Sequence, residues 1–361
     1  MPWPIWLRWS LALPLVTLNL YVLRQLLLPL APFPALFLTA ALIAFLLDIP
    51  ISWLTAKGLR RWLAILLVTL VTVSTLVVAG ITLLPLLIRQ LAQLINALPG
   101  WLVAAETWIN RLQEWAVQRG LPSDFGDLSS DLISRLSRVA SEFSQRLLSI
   151  LGTTLTTTIN TVIVVVLAVF FLLGGEAITA GLVRWLPAGW RDLVVTTITR
   201  TFRGYFAGQV VLALILSAGQ IAVFTLLGIP YGVLFAVLIG ITTLIPYASA
   251  LTIVAVSALL AVQDPRTGLE ILAAAIVVGQ IVDQVIQPNL MGNLLGLQPA
   301  WLLIVLPLGA RAGDLFGFGS LLGLLLAVPA ASCIKTFADA WQESFQPEAP
   351  QQQAALRPER E

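Results

Sequence analysis

Three charged side chains stand inside otherwise apolar stretches of the C-terminal half: Asp283, Arg311 and Asp314. A charge at the centre of a membrane helix costs about 2.5–3.5 kcal/mol on insertion scales, so it persists where it is paired, wetted or used. Arg311 and Asp314 are three residues apart, a spacing at which each can neutralise the other on one helix face. Asp283 has no such neighbour in sequence. It reads either as an interfacial carboxylate or as a carrier of a proton or a monovalent cation. Neutral polar groups gather in the same region: Gln209, Gln220, Tyr247, Gln280, Gln284 and Asn289. Such donors and acceptors suit a small polyhydroxylated ligand. The plainer alternative is hydrogen bonding between helices, worth about 0.6 kcal/mol each on average in membranes.

Other chemistries lack their residues. The chain has no histidine, which removes HExxH zinc peptidases and Ser–His hydrolases. Its two lysines, Lys57 and Lys335, stand outside any GxxxxGK phosphate-binding loop, and the single Cys333 precludes an internal disulfide or a thiolate cluster. No enzyme, metal, cofactor or nucleic-acid partner is expected. Hydrophobic residues make up 58% of the 361 residues and charged ones 11%, against roughly 25% charged in soluble domains. Mean hydropathy is +0.94. Lipid must therefore be the solvent for much of the chain.

The elements that would position these residues are membrane helices, each needing about 20 apolar residues. Uncharged runs of 23 residues occur at Trp62–Leu84, Leu151–Leu173 and Tyr205–Leu227. Two further spans are predicted near 6–24 and 27–47, with Arg24 at their turn. The C-terminal half adds Leu269–Leu290 and two longer runs: Tyr231–Val262, broken at Pro246, and Leu294–Ala331, broken around Arg311–Gly319. Backbone that leaves the helix at membrane depth must be buried in protein or line a wet cavity. The predicted breaks and hinges are Gly228, Pro230, Gly240, Pro288, Gly292, Pro299, Gly309, Gly313, Gly317 and Gly319. Leu226–Pro230 and Leu294–Pro299 open the two long runs alike, and each proline is followed ten positions later by a glycine, a hint of duplication that points to a transporter binding site.

Eight spans result. Arg8, Lys57, Arg60, Arg61, Arg184, Arg191, Arg200, Arg203, Arg266, Lys335, Arg357 and Arg360 then fall on one face, so both termini are expected in the cytoplasm. Residues 86–150 differ in kind, holding six of the 20 basic and six of the 18 acidic residues. Trp101, Ala105, Trp108, Leu112 and Trp115 form one helical stripe, and Leu132, Leu136, Val139 and Phe143 form another. Pro99-Gly100 is expected to break the chain just before a helical hairpin outside the bilayer. Its stripes either pack on each other or meet headgroups or a second subunit. The expected organisation is N-terminal helices over 1–85, the polar domain over 86–150, a transport domain over 151–345 and a disordered tail over 346–361.

Six segments in order resemble the autoinducer-2 exporter family: Phe202–Gln209, Leu227–Gly232, Leu244–Tyr247, Asp283–Gly292, Gln298-Pro299 and Ala327–Ala330. Two positions depart from its usual pattern, Ala248 for glycine and Gln284 for asparagine. The resemblance implies a secondary transporter of small molecules and a homo-oligomer. It leaves open an exporter of a polar or signalling solute and a Na+/H+ antiporter with Asp283 exchanging the ion. From a different class, a membrane scaffold would use the tryptophan-bearing hairpin as its working part.

Overall fold

The computed structural model describes residues 33–119, 154–291 and 299–345, with isolated positions between 14 and 26 and between 138 and 145. Every element among them is helical. Most of the predicted span 6–24, the stripe residues Leu132, Leu136, Val139 and Phe143, Gly292 and the tail lie outside the described residues, as do the side chains of Ala105, Trp108, Leu112 and Trp115.

The helices are α1 (Phe33–Ala56), α2 (Arg61–Gln118), α3 (Thr154–Val183), α4 (Ala188–Leu226), α5 (Gly232–Thr242), α6 (Ala248–Gln263), α7 (Pro265–Ile281), α8 (Gln287–Met291), α9 (Pro299–Leu315) and α10 (Ser320–Phe345). A π-helical turn, Val282–Ile286, joins α7 to α8. Five segments are long and apolar enough to cross a membrane alone: Phe33–Ala56, Arg61–Trp101, Ala188–Leu226, Pro265–Leu290 and Ser320–Gln342. The protein is a polytopic all-α membrane protein. Its chain forms two compact units, one of Thr39–Leu173 with Phe206–Gly292, the other of Met1–Leu38, Gly174–Tyr205 and Asn293–Glu361.

The described part of the span placed at 27–47, from Phe33 onward, is helical and keeps Pro34 in its first turn, where the missing amide costs nothing. Two expectations need correction. The break expected at Pro99-Gly100 does not occur, because α2 continues through Pro85 and Pro99 to Gln118. Leu94, Leu98 and Trp101 are buried at i, i+4, i+7 spacing, so one packed face carries the helix across the proline. Finally, Leu294–Ala331 is not one interrupted span but parts of two antiparallel helices, α9 and α10, joined at Phe316–Gly319.

Three reversals use one local device. At Gly58, Gly228 and Gly317 the chain turns left-handed (φ 95°, 65° and 78°). The following amide, of Leu59, Ile229 or Phe318, reaches back to the carbonyl of Leu54, Phe224 or Gly313 at 3.2, 2.9 and 3.0 Å. This Schellman geometry satisfies carbonyls that lipid would leave unpaired, and only glycine adopts the required φ freely.

Candidate functional site

After Gly228 the chain passes Pro230 and reaches Tyr231 in a left-handed conformation (φ 57°, ψ 22°), from which α5 starts. Helix α5 then returns along α4. A Cβ at Gly232 would lie 2.9 Å from that of Phe224, and one at Gly240 would meet Ser217 Oγ and lie 2.8 Å from the Ala213 carbonyl. The absence of side chains at both glycines thus lets the two backbones close. Eleven residues give α5 a length of about 16 Å, half of the hydrocarbon core. It ends in the turn 243–247, which contains Pro246. Tyr247, again left-handed (φ 66°, ψ −10°), opens α6. These tyrosines are the non-glycine residues with positive φ among the described residues. Left-handed backbone costs an L-residue roughly 1–2 kcal/mol, and such strain gathers where chains bind or switch.

Helix α6 meets α7 at a corner capped by Asp264, whose carboxylate accepts from the Arg266 amide (3.2 Å), the Thr267 amide (3.2 Å) and the Thr267 hydroxyl (2.7 Å). The Thr267 hydroxyl, then the Arg266 amide, hold this carboxyl below its ordinary 3.8. A Cβ at Gly268 would meet the backbone of Ala261, so α6 and α7 pack antiparallel at close range. Across from them, Gln220 of α4 is fully buried. Its Nε2 donates to the Ala275 carbonyl of α7 at 3.1 Å, and its Oε1 has no partner. A buried carbonyl without a donor costs about 1–3 kcal/mol, so the site holds an unanswered acceptor. Ser257 Oγ on α6 is likewise buried and unpartnered.

The sequence profile of AI-2E family transporters matches residues 11–343. The chain belongs to the AI-2E transporter family. Relatives agree along the chain. A Synechocystis protein provisionally named a transport protein is 34% identical over 332 residues, covering 90% of this chain and 82% of its own. A second from the same organism is 30% identical, with 91% and 94% covered. A Bacillus subtilis protein, also provisionally named for transport, is 24% identical, with 91% of each covered. This AI-2E protein is accordingly a multi-pass membrane transporter.

The remaining residues singled out by sequence are dispersed. Gln209 is buried on α4. Gln284 bonds to Gln280 one turn before it, and Asn289 donates to the Val285 carbonyl at 2.8 Å, so these exposed amides are satisfied within their own helix. Asp283 lies in the π-helical turn with its side chain exposed, and Pro288 follows in α8. In the other unit, Arg311 and Asp314 are exposed on α9, and no ion pair joins them. Gly309, Gly313, Gly319 and Gly323 face one another, so that a Cβ at Gly309 or Gly313 would strike the carbonyl oxygen of Gly323 or Gly319. Pro299 opens α9.

Two features of this chain emerge only in the fold. Ile-Pro-Tyr occurs twice, at 229–231 and 245–247, and each copy ends on a left-handed tyrosine before a short helix. Gln90 of α2 accepts a hydrogen bond from the Leu234 amide at 2.8 Å, capping α5 from a distant part of the chain. The tripeptide repeat was available as a signal; nothing local marks Gln90.

Proposed function

We propose that the protein is a secondary transporter of a small neutral polar solute, an autoinducer-2-like signalling molecule being one candidate, and that α5 and α6 form a re-entrant hairpin that lines the solute site together with α4. The supporting observation is the pair of strained starts at Tyr231 and Tyr247 around a helix too short to cross. Freed amides and carbonyls at such a tip need protein, water or ligand. Gln220 supplies an acceptor for a solute hydroxyl once the helices part, being occluded in this state.

The same reading fixes a topology. The α9–α10 hairpin adds a crossing to the eight counted, and a re-entrant α5–α6 removes one, so both termini stay cytoplasmic in the inner membrane. Of the twelve basic residues on that face, Arg266 moves to the other side, where Glu270 pairs with it at 2.9 Å. Segment 86–150 also lies outside, and assembly is homo-oligomeric, to be checked by native mass spectrometry in mild detergent.

The test is flux into proteoliposomes across a panel of polar solutes with imposed Na+ or H+ gradients. Gln220→Leu should reduce flux at least about tenfold while the melting temperature holds or rises, since an unpaired buried acceptor is removed. Wild-type flux in that variant would sink the site. A second reading is favoured by Asp283, which occupies a π-helical turn of the kind enriched at functional sites. If it carries the coupling ion, Asp283→Asn abolishes the dependence on the imposed gradient and leaves the protein folded.

A further inference from the structure

We propose that the outer part of α2 is a latch on the mouth of the α5–α6 hairpin, with Gln90 and Trp101 as its two contacts. The proposal rests on the re-entrant reading above. A helix start leaves amides without intrahelical partners, and where that start is packed against another helix they need a protein acceptor. Tyr231, at the cap position of α5, provides no side-chain hydrogen bond. Gln90 takes over, its Oε1 accepting from Leu234, the third residue of α5. The second contact is aromatic. Buried Trp101 lies 6.0 Å from the Tyr231 ring at 59°, and Tyr231 meets Phe235 edge-on at 6.2 Å. Tyr231 is therefore both the strained pivot of α5 and the residue that α2 grips.

Gln90 and Trp101 are eleven residues apart, about three turns, so both project from one face of α2. Pro99 lies between them and has no amide to give the carbonyl of Ile95, which makes this stretch the easiest place for α2 to bend. A bend there lifts Trp101 from Tyr231 while Gln90 still holds Leu234; release of both frees α5. Gln90 acts here as a positioning residue, since it touches the half-helix and no solute.

Hydrogen exchange in nanodiscs tests the latch without any solute. Gln90→Ala should speed exchange of the 232–242 amides at least about tenfold and leave 320–345 unchanged, and Gln90→Glu, which keeps an acceptor, should restore protection. Trp101→Ala should act in the same direction. Unchanged exchange across 232–242 in both alanine variants would overturn the latch while leaving the transporter reading intact. A flux arm follows function: in a Cys333→Ala background, Gln90→Cys with Leu234→Cys is joined by a short, reducible bis-thiol crosslinker. Flux should fall at least about tenfold when joined and recover on reduction; flux that ignores the crosslink refutes the latch as a gate. If the uncrosslinked protein moves no solute, the transport reading fails, and the exchange comparison alone decides the latch.

Discussion

The two long apolar runs of the C-terminal half look alike in sequence, yet they fold into opposite devices. In α9–α10 the interruption is a chain reversal closed by glycine against glycine, with Gly309 and Gly313 on one helix, Gly319 in the joint, and Gly323 and Ala327 along the other. This small-residue spacing lets backbones touch and gives a dense contact. In α5–α6 the interruption is built from prolines and left-handed tyrosines, beside a buried glutamine with an unanswered oxygen. Glycine accepts positive φ without strain, whereas tyrosine holds it only under constraint. One run is thus locked by what is missing from its side chains, and the other is held by what presses on them.

The largest effect should come from breaking the locked run. Gly323→Leu places a side chain against the Gly309 carbonyl and the Gly313 Cα, so backbones must separate. Overpacking of this kind costs about 1–3 kcal/mol or more, and a thermal melt in detergent should show a large drop in melting temperature. An unchanged melt would mean that the two helices are not in contact. A smaller effect, of opposite sign, distinguishes the two tyrosines. Tyr247→Gly should stabilise by up to about 1 kcal/mol, the relief of left-handed strain less the greater chain entropy of glycine. Tyr231→Gly should show no gain, because it also loses the contact with Trp101, worth about 0.5–1.5 kcal/mol. Equal responses would remove the distinction between a gripped tyrosine and a free one.

The smallest effect belongs to the α6–α7 corner. The Asp264 carboxyl is held below 3.8 in the folded protein, so its contribution is fully present above the unfolded value and is lost as pH falls through the lower folded value. Asp264→Asn should therefore flatten the acid limb of a melting-temperature profile below about pH 4 and change little at neutrality. A limb identical to the wild type would show that the cap titrates as it does in the unfolded chain.

Helix placement was largely legible, because uncharged runs of membrane length have few alternatives. What escaped was long-range. Pro99 looks like a terminator, and the burial that carries α2 past it belongs to Leu94, Leu98 and Trp101 packing in three dimensions. The closing of α9 on α10 was written as glycines and alanine four apart, at 309 and 313 and at 319, 323 and 327, but a break and a hairpin share that composition. Of the polar residues, Gln220 is buried and bridges α4 to the Ala275 carbonyl of α7, the interhelical bond named as the plainer alternative. Gln280, Gln284 and Asn289 are answered by their own helix, an outcome that residue type alone does not distinguish.

At 58 residues, α2 is about 87 Å long, roughly twice the 40–45 Å thickness of a whole bilayer with its headgroups. Standing upright, it would hold some 40 Å of its length outside the bilayer. While it stays straight at Pro99, such a rod is a lever with its fulcrum at the membrane surface. A tilt of about 5° inside the lipid, too small to disturb side-chain packing there, sweeps the far end through about 3–4 Å at that arm length. Spin labels near residue 118 would magnify rearrangements that labels within the bilayer barely register.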